Sequence, residues 1–248
     1  AGLIQALDHT GELVVNRVLV PSNGASSWKQ LLADPEKHWV RGFSAFETAV
    51  SWEAAQATER GLPASIAALL DTQQELVGSS TLIALPEHKV KLHGRGKASQ
   101  NDVWALLRSR TGYVSMAIEG KAGETFGEPL QEWLKEASAG KLARLNYLCR
   151  LLGTEYPPNN SLRYQLFHRT ASALIEAERF GAPHAVMIVQ SFRADALSLA
   201  DYVSFGSALG SSLSQGQLTK VPRHTGPALY LGWVDCELAN DSAVASVV

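Results

Sequence analysis

The sequence predicts an α/β (α+β) fold in which helices flank a mixed central sheet. Of its 248 residues, 46% are hydrophobic and 19% are charged, a composition typical of a globular chain with a sizeable core. Helical and strand-like segments alternate along the chain, which favours a layered fold. The net charge of -2 and the two cysteines exclude a strongly basic protein, a disulfide scaffold and a zinc site built from paired cysteines.

The periodicity of the apolar residues gives the predicted elements in order. Helical spacing near the start predicts two helices, in SSWKQLL and in FSAFETAVSWEAAQATERG. Alternating patterns then predict three strands, TLIALPEHKVKL, DVWALLR and YVSMAIEGK. Helices follow in EPLQEWLKEAS, KLARLNYLCRLLG and LRYQLFHRTASALIEAERF, and HAVMIVQSF is an apolar strand. A helix in DALSLADYVSFGSALG and two short strands, QLTKV and ALYLGWV, close the domain.

These elements suggest one domain with additions at both ends. We predict an N-terminal extension in residues 1–42, a single α/β domain in residues 43–235 and a small-residue tail in residues 236–248 that is frayed. The sequence lacks a secretory signal pattern and a long apolar run, so we expect a cytoplasmic protein that does not contact a membrane.

The segment DVWALLRSRTGYVSMAIEGK reads as a β-hairpin centred between Arg110 and Thr111. In this register one face is entirely apolar, and a slip by one residue would destroy the segregation. A four-residue loop from Ser109 to Gly112 closes the hairpin. The register places Asp102 directly opposite Glu119 at the open end. The apolar face consists of Val103, Ala105, Leu107, Val114, Met116 and Ile118.

Two carboxylates that face each other in a sheet repel each other, and a divalent cation between them removes the conflict. Oxygen ligands suit Mg²⁺ or Mn²⁺, which bind one or two carboxylates together with phosphate oxygens. Lys121 lies two residues after Glu119 and leaves the strand on the same face. A cation there balances charge that develops on a phosphoryl group.

Asp102 on one strand and Glu119-Gly120-Lys121 on the next resemble the PD-(D/E)XK nuclease superfamily, which has the restriction-endonuclease-like fold with an αβββαβ core. The similarity covers roughly residues 43–192, and strings such as SQNDVWAL, EGK and HRTASA resemble an uncharacterised bacterial branch. The resemblance implies a metal-dependent nuclease in which Asp102, Glu119 and the Gly120 carbonyl bind the metal. Lys121 then assists the attacking water. One departure is Asn101, where the family has proline.

The family often adds an acidic residue from its first helix, for which Glu53 is our first candidate and Glu47 our second. Gln165 and Arg169 lie one turn apart on a later helix, as a polar pair that such helices direct at the site. A competing triplet, Glu87-His88-Lys89, finds no mirrored strand partner, and we expect Pro86 to interrupt its ladder. Glu87 therefore stays a secondary candidate.

Basic side chains alternate with other residues just before the hairpin. In an extended segment they project to one side and form a rim that binds phosphates, although lysines also protect edge strands. We expect nucleic acid as the partner, DNA rather than RNA, and keep a homodimer open. The rim residues are Lys89, Lys91, His93, Arg95 and Lys97.

Other interpretations compete with the nuclease. Ser99 to Asp102 also reads as a helix capping box, which would make Asp102 a cap. The domain could be an inactive scaffold of the same fold that binds nucleic acid or a protein partner. A different enzyme would use His168, Arg169 and Tyr164. A zinc site would draw on His88 and His93 with His168 or His184, but the usual ligand spacing is missing.

Overall fold

The computed structural model describes residues 5–7, 13–15, 22–94, 96–193, 195–223 and 225–247. The strands are β1 (Gln5–Leu7), β2 (Leu13–Val15), β3 (Ser80–Val90), β4 (Ser99–Ser109), β5 (Gly112–Ala122), β6 (His184–Arg193), β7 (Leu218–Val221) and β8 (Ala228–Asp235). The helices are a 3₁₀ helix (Ala25–Leu31), α1 (Pro35–His38), α2 (Ser44–Ala55), α3 (Ala64–Leu70), α4 (Leu130–Trp133), α5 (Ala139–Leu152), α6 (Tyr164–Phe180), α7 (Ala196–Ala208) and α8 (Asp241–Ala245).

A six-stranded mixed sheet in the order β3-β4-β5-β6-β8-β7 forms the centre of the fold. β3, β4 and β5 form an antiparallel meander, β6 runs parallel to both β5 and β8, and β7 returns antiparallel beside β8. β1 and β2 pair separately. The α+β fold with a mixed sheet flanked by helices, as the sequence predicts, is therefore confirmed.

Helices cover both faces of the sheet, so the central strand β6 is buried along nearly its whole length. Alternate residues of β6 enter two different cores, with Met187 in one and Ile188 in the other. α5, α6 and α7 enclose the first core, which contains Leu148, Phe167, Leu174, Tyr202 and Trp233. The 3₁₀ helix, α2 and α3 enclose the second, which contains Trp28, Val50, Trp52, Ile66 and Leu70.

The β4–β5 hairpin has the register that the sequence predicts. Leu107 pairs with Val114 and Val103 with Ile118, and all six residues of the predicted apolar face lie in one core. The loop is shorter than predicted, because Ser109 and Gly112 are themselves paired. The hairpin therefore has Asp102 and Glu119 at its open end, as the sequence predicts.

The expectation that Pro86 interrupts the β3 ladder is wrong. Pro86 lies opposite Val103 in a ladder that continues on both sides of it. β3 is an edge strand of the sheet, so a residue without an amide proton is tolerated there.

The C-terminal tail is packed, in contrast to the predicted fraying. It contains α8, and the amide of Ala25 donates a 2.6 Å hydrogen bond to the carbonyl of Val247. The amide of Ala239 donates to Glu47 on α2, and Val244 packs against the second core. Among the described residues, no helix has both the length and the apolar character that crossing a membrane requires.

Candidate active site

Asp102 and Glu119 lie side by side at the open end of the β4–β5 hairpin. Val103 and Ile118 form the last registered pair of this ladder, and Asp102 and Glu119 are the next residue of each strand. Asp102 belongs to β4, so it does not cap a helix, and the capping-box interpretation is wrong. The two carboxyl groups are close enough for the charge of Glu119 to raise the pKa of Asp102.

Glu87 on β3 extends this pair to a row of three carboxyl groups on adjacent strands. It lies opposite Asp102, between Pro86 and the registered pair of His88 with Asn101. Glu87 has a positive φ of 53°, which is rare for a residue other than glycine. Its Oε2 accepts a 2.6 Å hydrogen bond from Gln100 Nε2, two residues before Asp102. Glu87, a secondary candidate from the sequence, thus lies in the row, and Gln100, which no sequence pattern indicates, holds it there.

β4 and β5 separate beyond this row, and Gly120 lies where they part. Its amide donates a 2.6 Å hydrogen bond to Asp102 Oδ2. A side chain could not replace its hydrogen, because a Cβ at this position would overlap Thr48 Oγ1 on α2 and lie 3.3 Å from Asp102 Oδ2. Glycine is therefore required here by the close approach of a helix and a carboxylate.

Glu119 is only 3% exposed and is surrounded by donors. Lys121 Nζ donates to its Oε1 at 2.6 Å, and Gln165 Nε2 donates to the same oxygen at 2.7 Å. Arg169 Nε donates to the other oxygen, Oε2. The structure thus brings Gln165 and Arg169 of α6 to the acidic-x-lysine triplet.

The three carboxyl groups differ in protonation. Burial would raise the pKa of Glu119, but the charges of Arg169 and Lys121 outweigh it and lower the pKa to about 2. Burial raises the pKa of Glu87 to about 7, even though Gln100 binds the ionised form. Burial, then Glu119 and Glu87, raise the pKa of Asp102 well above its usual range. At neutral pH Glu119 is therefore ionised and Glu87 is partly ionised, whereas the raised pKa of Asp102 favours its protonated form.

A cleft of about 310 Å³ opens onto this row between the start of α2 and the ends of β3 and β4. Ser44 contributes from α2, and Arg169 closes the cleft on the α6 side. Because Asp102 and Glu87 both line it, a ligand that enters the cleft meets these two carboxyl groups.

Ser99 continues the polar network away from the carboxyl row. Its hydroxyl lies 2.7 Å from Nδ1 of His168 and accepts a 3.3 Å hydrogen bond from a terminal nitrogen of Arg169. Burial and then the charge of Arg169 lower the pKa of His168 to about 3, so this imidazole is neutral. Ser99 was not predicted from the sequence, although it lies on the same strand as Asp102.

Comparison with protein families gives one result. The family described as a domain of unknown function, DUF6946, matches residues 21–238. The chain belongs to the DUF6946 family. The matched range contains every residue of the carboxyl row and its donors. Neither the curated proteins nor the solved structures include a match to the chain.

In this DUF6946 domain the structure does not bring Glu53, the predicted further metal ligand from α2, into the carboxyl row. Glu53 Oε1 accepts hydrogen bonds from Ser22 Oγ at 2.6 Å and from Trp28 Nε1 at 2.7 Å. These bonds fix the 3₁₀ helix to α2. Glu47, the second candidate, accepts from the amides of Gly42 and Ala239.

The predicted basic rim is extended only in part. Lys89 lies on β3, but the strand ends at Val90, and Lys91 and Lys97 lie in the connection to β4. Gly94 and Gly96 have positive φ values of 81° and 129°, so the alternation cannot continue as a strand. The three lysines are exposed, and Arg95 lies outside the described residues.

Some of the carboxylate oxygens at this site of the DUF6946 domain are suited to binding a divalent cation. Asp102 and Glu87 are hard oxygen ligands whose mutual repulsion a cation would relieve, as for Mg²⁺ or Mn²⁺. Glu119 is already bound on both oxygens, and it joins such a site only by exchanging some of these bonds. In the part of the chain that is described, no group of three acidic, histidine or cysteine residues is arranged to hold a metal.

Proposed function

We propose that this protein is a metal-dependent phosphodiester hydrolase that cleaves nucleic acid, DNA rather than RNA. The observation that carries the proposal is the row of Glu87, Asp102 and Glu119 on three adjacent strands, with Lys121 bound to Glu119. Phosphodiester hydrolysis uses carboxylates that bind a divalent metal ion and a positively charged side chain beside them.

The order of elements supports the same proposal. Two helices, three antiparallel strands, further helices and a parallel strand follow one another from α2 to β6. This order resembles the αβββαβ core of the PD-(D/E)XK nucleases, with Asp102 on the second strand and Glu119-Gly120-Lys121 on the third. A cytoplasmic location fits the two free thiols, Cys149 and Cys236.

Asp102 and Glu87 are the residues that would hold the metal, with Glu119 as a further ligand once its donors exchange. A bound Mg²⁺ or Mn²⁺ would supply Lewis-acid polarisation of a phosphoryl oxygen. Glu87 has a pKa of about 7, so its carboxyl group can lose its proton near neutral pH and would then be able to bind the metal.

Lys121 and Arg169 supply the positive charge on the protein side. Lys121 Nζ is held by Glu119 and lies 3.3 Å from Gln165 Oε1 and 5.1 Å from the centre of the Phe126 ring. A fixed and buried ammonium group balances negative charge that develops during phosphoryl transfer. Arg169 orients Glu119 through Oε2 and is itself oriented by Ser99.

Cleavage assays with pure protein test the proposal directly. Supercoiled plasmid, single-stranded DNA and RNA are incubated with Mg²⁺, with Mn²⁺ and with a chelator, and the products are separated on gels. We expect cleavage of DNA that needs the metal and is lost in Asp102→Asn and Lys121→Met. Glu128→Gln, an exposed change outside the cleft, should cleave as the wild type does. Equal cleavage by Asp102→Asn and wild type would refute the proposal.

One observation favours a second candidate, a catalytically inactive scaffold that binds nucleic acid or a protein partner. Lys121, Gln165 and Arg169 satisfy both oxygens of Glu119, as in a structural ion-pair network. A scaffold that binds nucleic acid should do so in the presence of chelator and equally well after Glu119→Gln. Replacing Lys89 or Lys91 by glutamine should then reduce the slope of log affinity against log salt by about one per lysine.

A further inference from the structure

A second cavity, of about 730 Å³, lies beside the carboxyl row. It is bounded by the connection between β3 and β4, by α4, by the start of α5 and by the first two turns of α6. Its volume falls in the range of small-molecule sites, which is roughly 300–1,000 Å³. The cavity is therefore large enough for a ligand of the size of a nucleotide.

The charged side chains that line this cavity are all basic. Lys97 enters from the β3–β4 connection, and Lys141 and Arg144 enter from α5. None of its described lining residues is acidic, and His168 is neutral because burial and Arg169 lower its pKa. The cavity therefore favours an anion.

The rest of the wall is flat and largely apolar. The rings of Trp133 and Tyr164 stack with their centres 3.9 Å apart, and Leu92 adds an aliphatic surface. Lys141 Nζ donates a 2.8 Å hydrogen bond to the carbonyl of Trp133 and lies 5.2 Å from the centre of the Trp133 ring, so this ammonium group is held over the aromatic wall. A ligand that satisfies both parts of the cavity combines a planar body with a negative group.

The cavity and the carboxyl row share one hydrogen-bond network. His168 lines the cavity, Arg169 lines the cleft, and both contact the hydroxyl of Ser99. Arg169 in turn binds Glu119. The cavity and the carboxyl row are therefore linked through Ser99 and Arg169.

We propose that this cavity binds a single nucleotide unit, with its phosphate at Lys97 and Lys141 and its base against the aromatic wall. The proposal rests on the proposed function, because it assigns the cavity to one unpaired nucleotide of the nucleic acid that the carboxyl row would cleave. It predicts that free nucleoside monophosphates bind to the protein.

Calorimetric titration of the whole chain with dAMP, dCMP, dGMP and dTMP, in the presence of chelator, tests the proposal without requiring cleavage. Deoxyadenosine and inorganic phosphate serve as the two partial probes. We expect each monophosphate to bind more tightly than either partial probe. Lys97→Gln and Lys141→Gln should each weaken binding about tenfold, the effect of losing one charge-assisted hydrogen bond. Lys135→Gln, an exposed change just before α5 that does not line the cavity, should bind as the wild type does.

Absence of monophosphate binding, or binding that is equal in Lys97→Gln, Lys141→Gln and wild type, would overturn the inference. Inorganic phosphate that binds as tightly as dAMP would also overturn it, because the aromatic wall would then contribute nothing. Circular dichroism confirms that the variants are folded. Cleavage without monophosphate binding refutes the cavity alone, whereas monophosphate binding without cleavage refutes the proposed hydrolase alone.

Discussion

The amide of Gly120 donates a 2.6 Å hydrogen bond to Oδ2 of Asp102 at the point where β4 and β5 part. This bond fixes an acidic side chain of one strand against the backbone of the next. Because Gly120 lies between Glu119 and Lys121, the same contact sets the position of the acidic-x-lysine triplet relative to Asp102. The backbone of β5 thus fixes the position of Asp102 relative to Glu119 and Lys121.

Gly120→Ala should destabilise the protein through overlap with α2. The added Cβ would overlap Thr48 Oγ1, which is buried among tightly packed neighbours, and overpacking of this kind costs about 1–3 kcal/mol. Urea unfolding measures the loss. Thr48→Ala removes the overlapping atom, so the double variant should recover much of the stability. A double variant that is as unstable as the sum of the two single changes would contradict this explanation.

Asp102→Asn should stabilise the protein increasingly as the pH rises. The folded protein raises the pKa of Asp102, so between the unfolded pKa of about 4 and the folded pKa the folded state retains a proton that the unfolded state has lost. The contribution of Asp102 to wild-type stability therefore falls as the pH rises through this window, whereas asparagine has no such dependence.

Thermal unfolding between about pH 5 and pH 8, without divalent ions, tests this prediction. The melting temperature of Asp102→Asn minus that of the wild type should grow with pH. Asp71→Asn is a control that should show no pH dependence in this range, because hydrogen bonds from Arg60 and Gly78 lower the pKa of Asp71 below its unfolded value of about 4 and the carboxylate is ionised in both states. A difference for Asp102→Asn that is constant or shrinks with pH would contradict the prediction.

The affinity for Mn²⁺ should rise with pH across neutrality. The metal needs ionised carboxylates, so Glu87, with a pKa of about 7, and Asp102, whose pKa burial raises well above its usual range, must both lose their protons. Titration calorimetry at about pH 6, 7 and 8 should show an affinity that increases with pH, by up to about a hundredfold per pH unit where both groups are protonated. Glu87→Gln removes one of the two protons and should make this dependence less steep, whereas the exposed control Glu128→Gln should retain it. An unchanged pH dependence in Glu87→Gln would exclude Glu87 from the site.

The sequence predicts the β4–β5 part of the site because only one register separates the apolar residues from the others. A slip would expose Val103 and Ile118, so burial fixes the pairing and places Asp102 beside Glu119. The same hydrophobic periodicity predicts α6, whose buried face brings Arg169 to Glu119. The sequence pattern therefore predicts which side chains come together where burial of apolar residues fixes the strand register or the orientation of a helix.

The roles of Glu87 and Glu53 could not be predicted in this way. Glu87 follows a proline, and only the position of β3 at the edge of the sheet makes that proline compatible with a ladder. Glu53 is a carboxylate on the predicted helix, but its partners, Ser22 and Trp28, come from a segment far away in the sequence. Such contacts depend on how separate elements pack against each other, and the spacing of apolar residues within one element does not indicate that packing.

Glu119→Gln should be among the most destabilising single changes in the site. It would leave Lys121 and Arg169 buried beside a neutral amide, and breaking a buried ion pair in this way costs about 3–5 kcal/mol. The exposed pair of Lys220 and Glu75 is a matched control, because Glu75→Gln should cost less than about 1 kcal/mol. Urea unfolding near neutral pH measures both changes.

A double-mutant cycle then separates the Glu119–Arg169 interaction from general effects of substitution. The double variant Glu119→Gln with Arg169→Gln should lose about 1–3 kcal/mol less than the sum of the single changes, because it removes both buried charges together. The folded state lowers the pKa of Glu119 to about 2, so this coupling is present above the unfolded pKa of about 4 and is lost as the pH falls towards 2. Additive losses at neutral pH, or a coupling that grows on acidification, would show that Arg169 does not hold Glu119 in its ionised form.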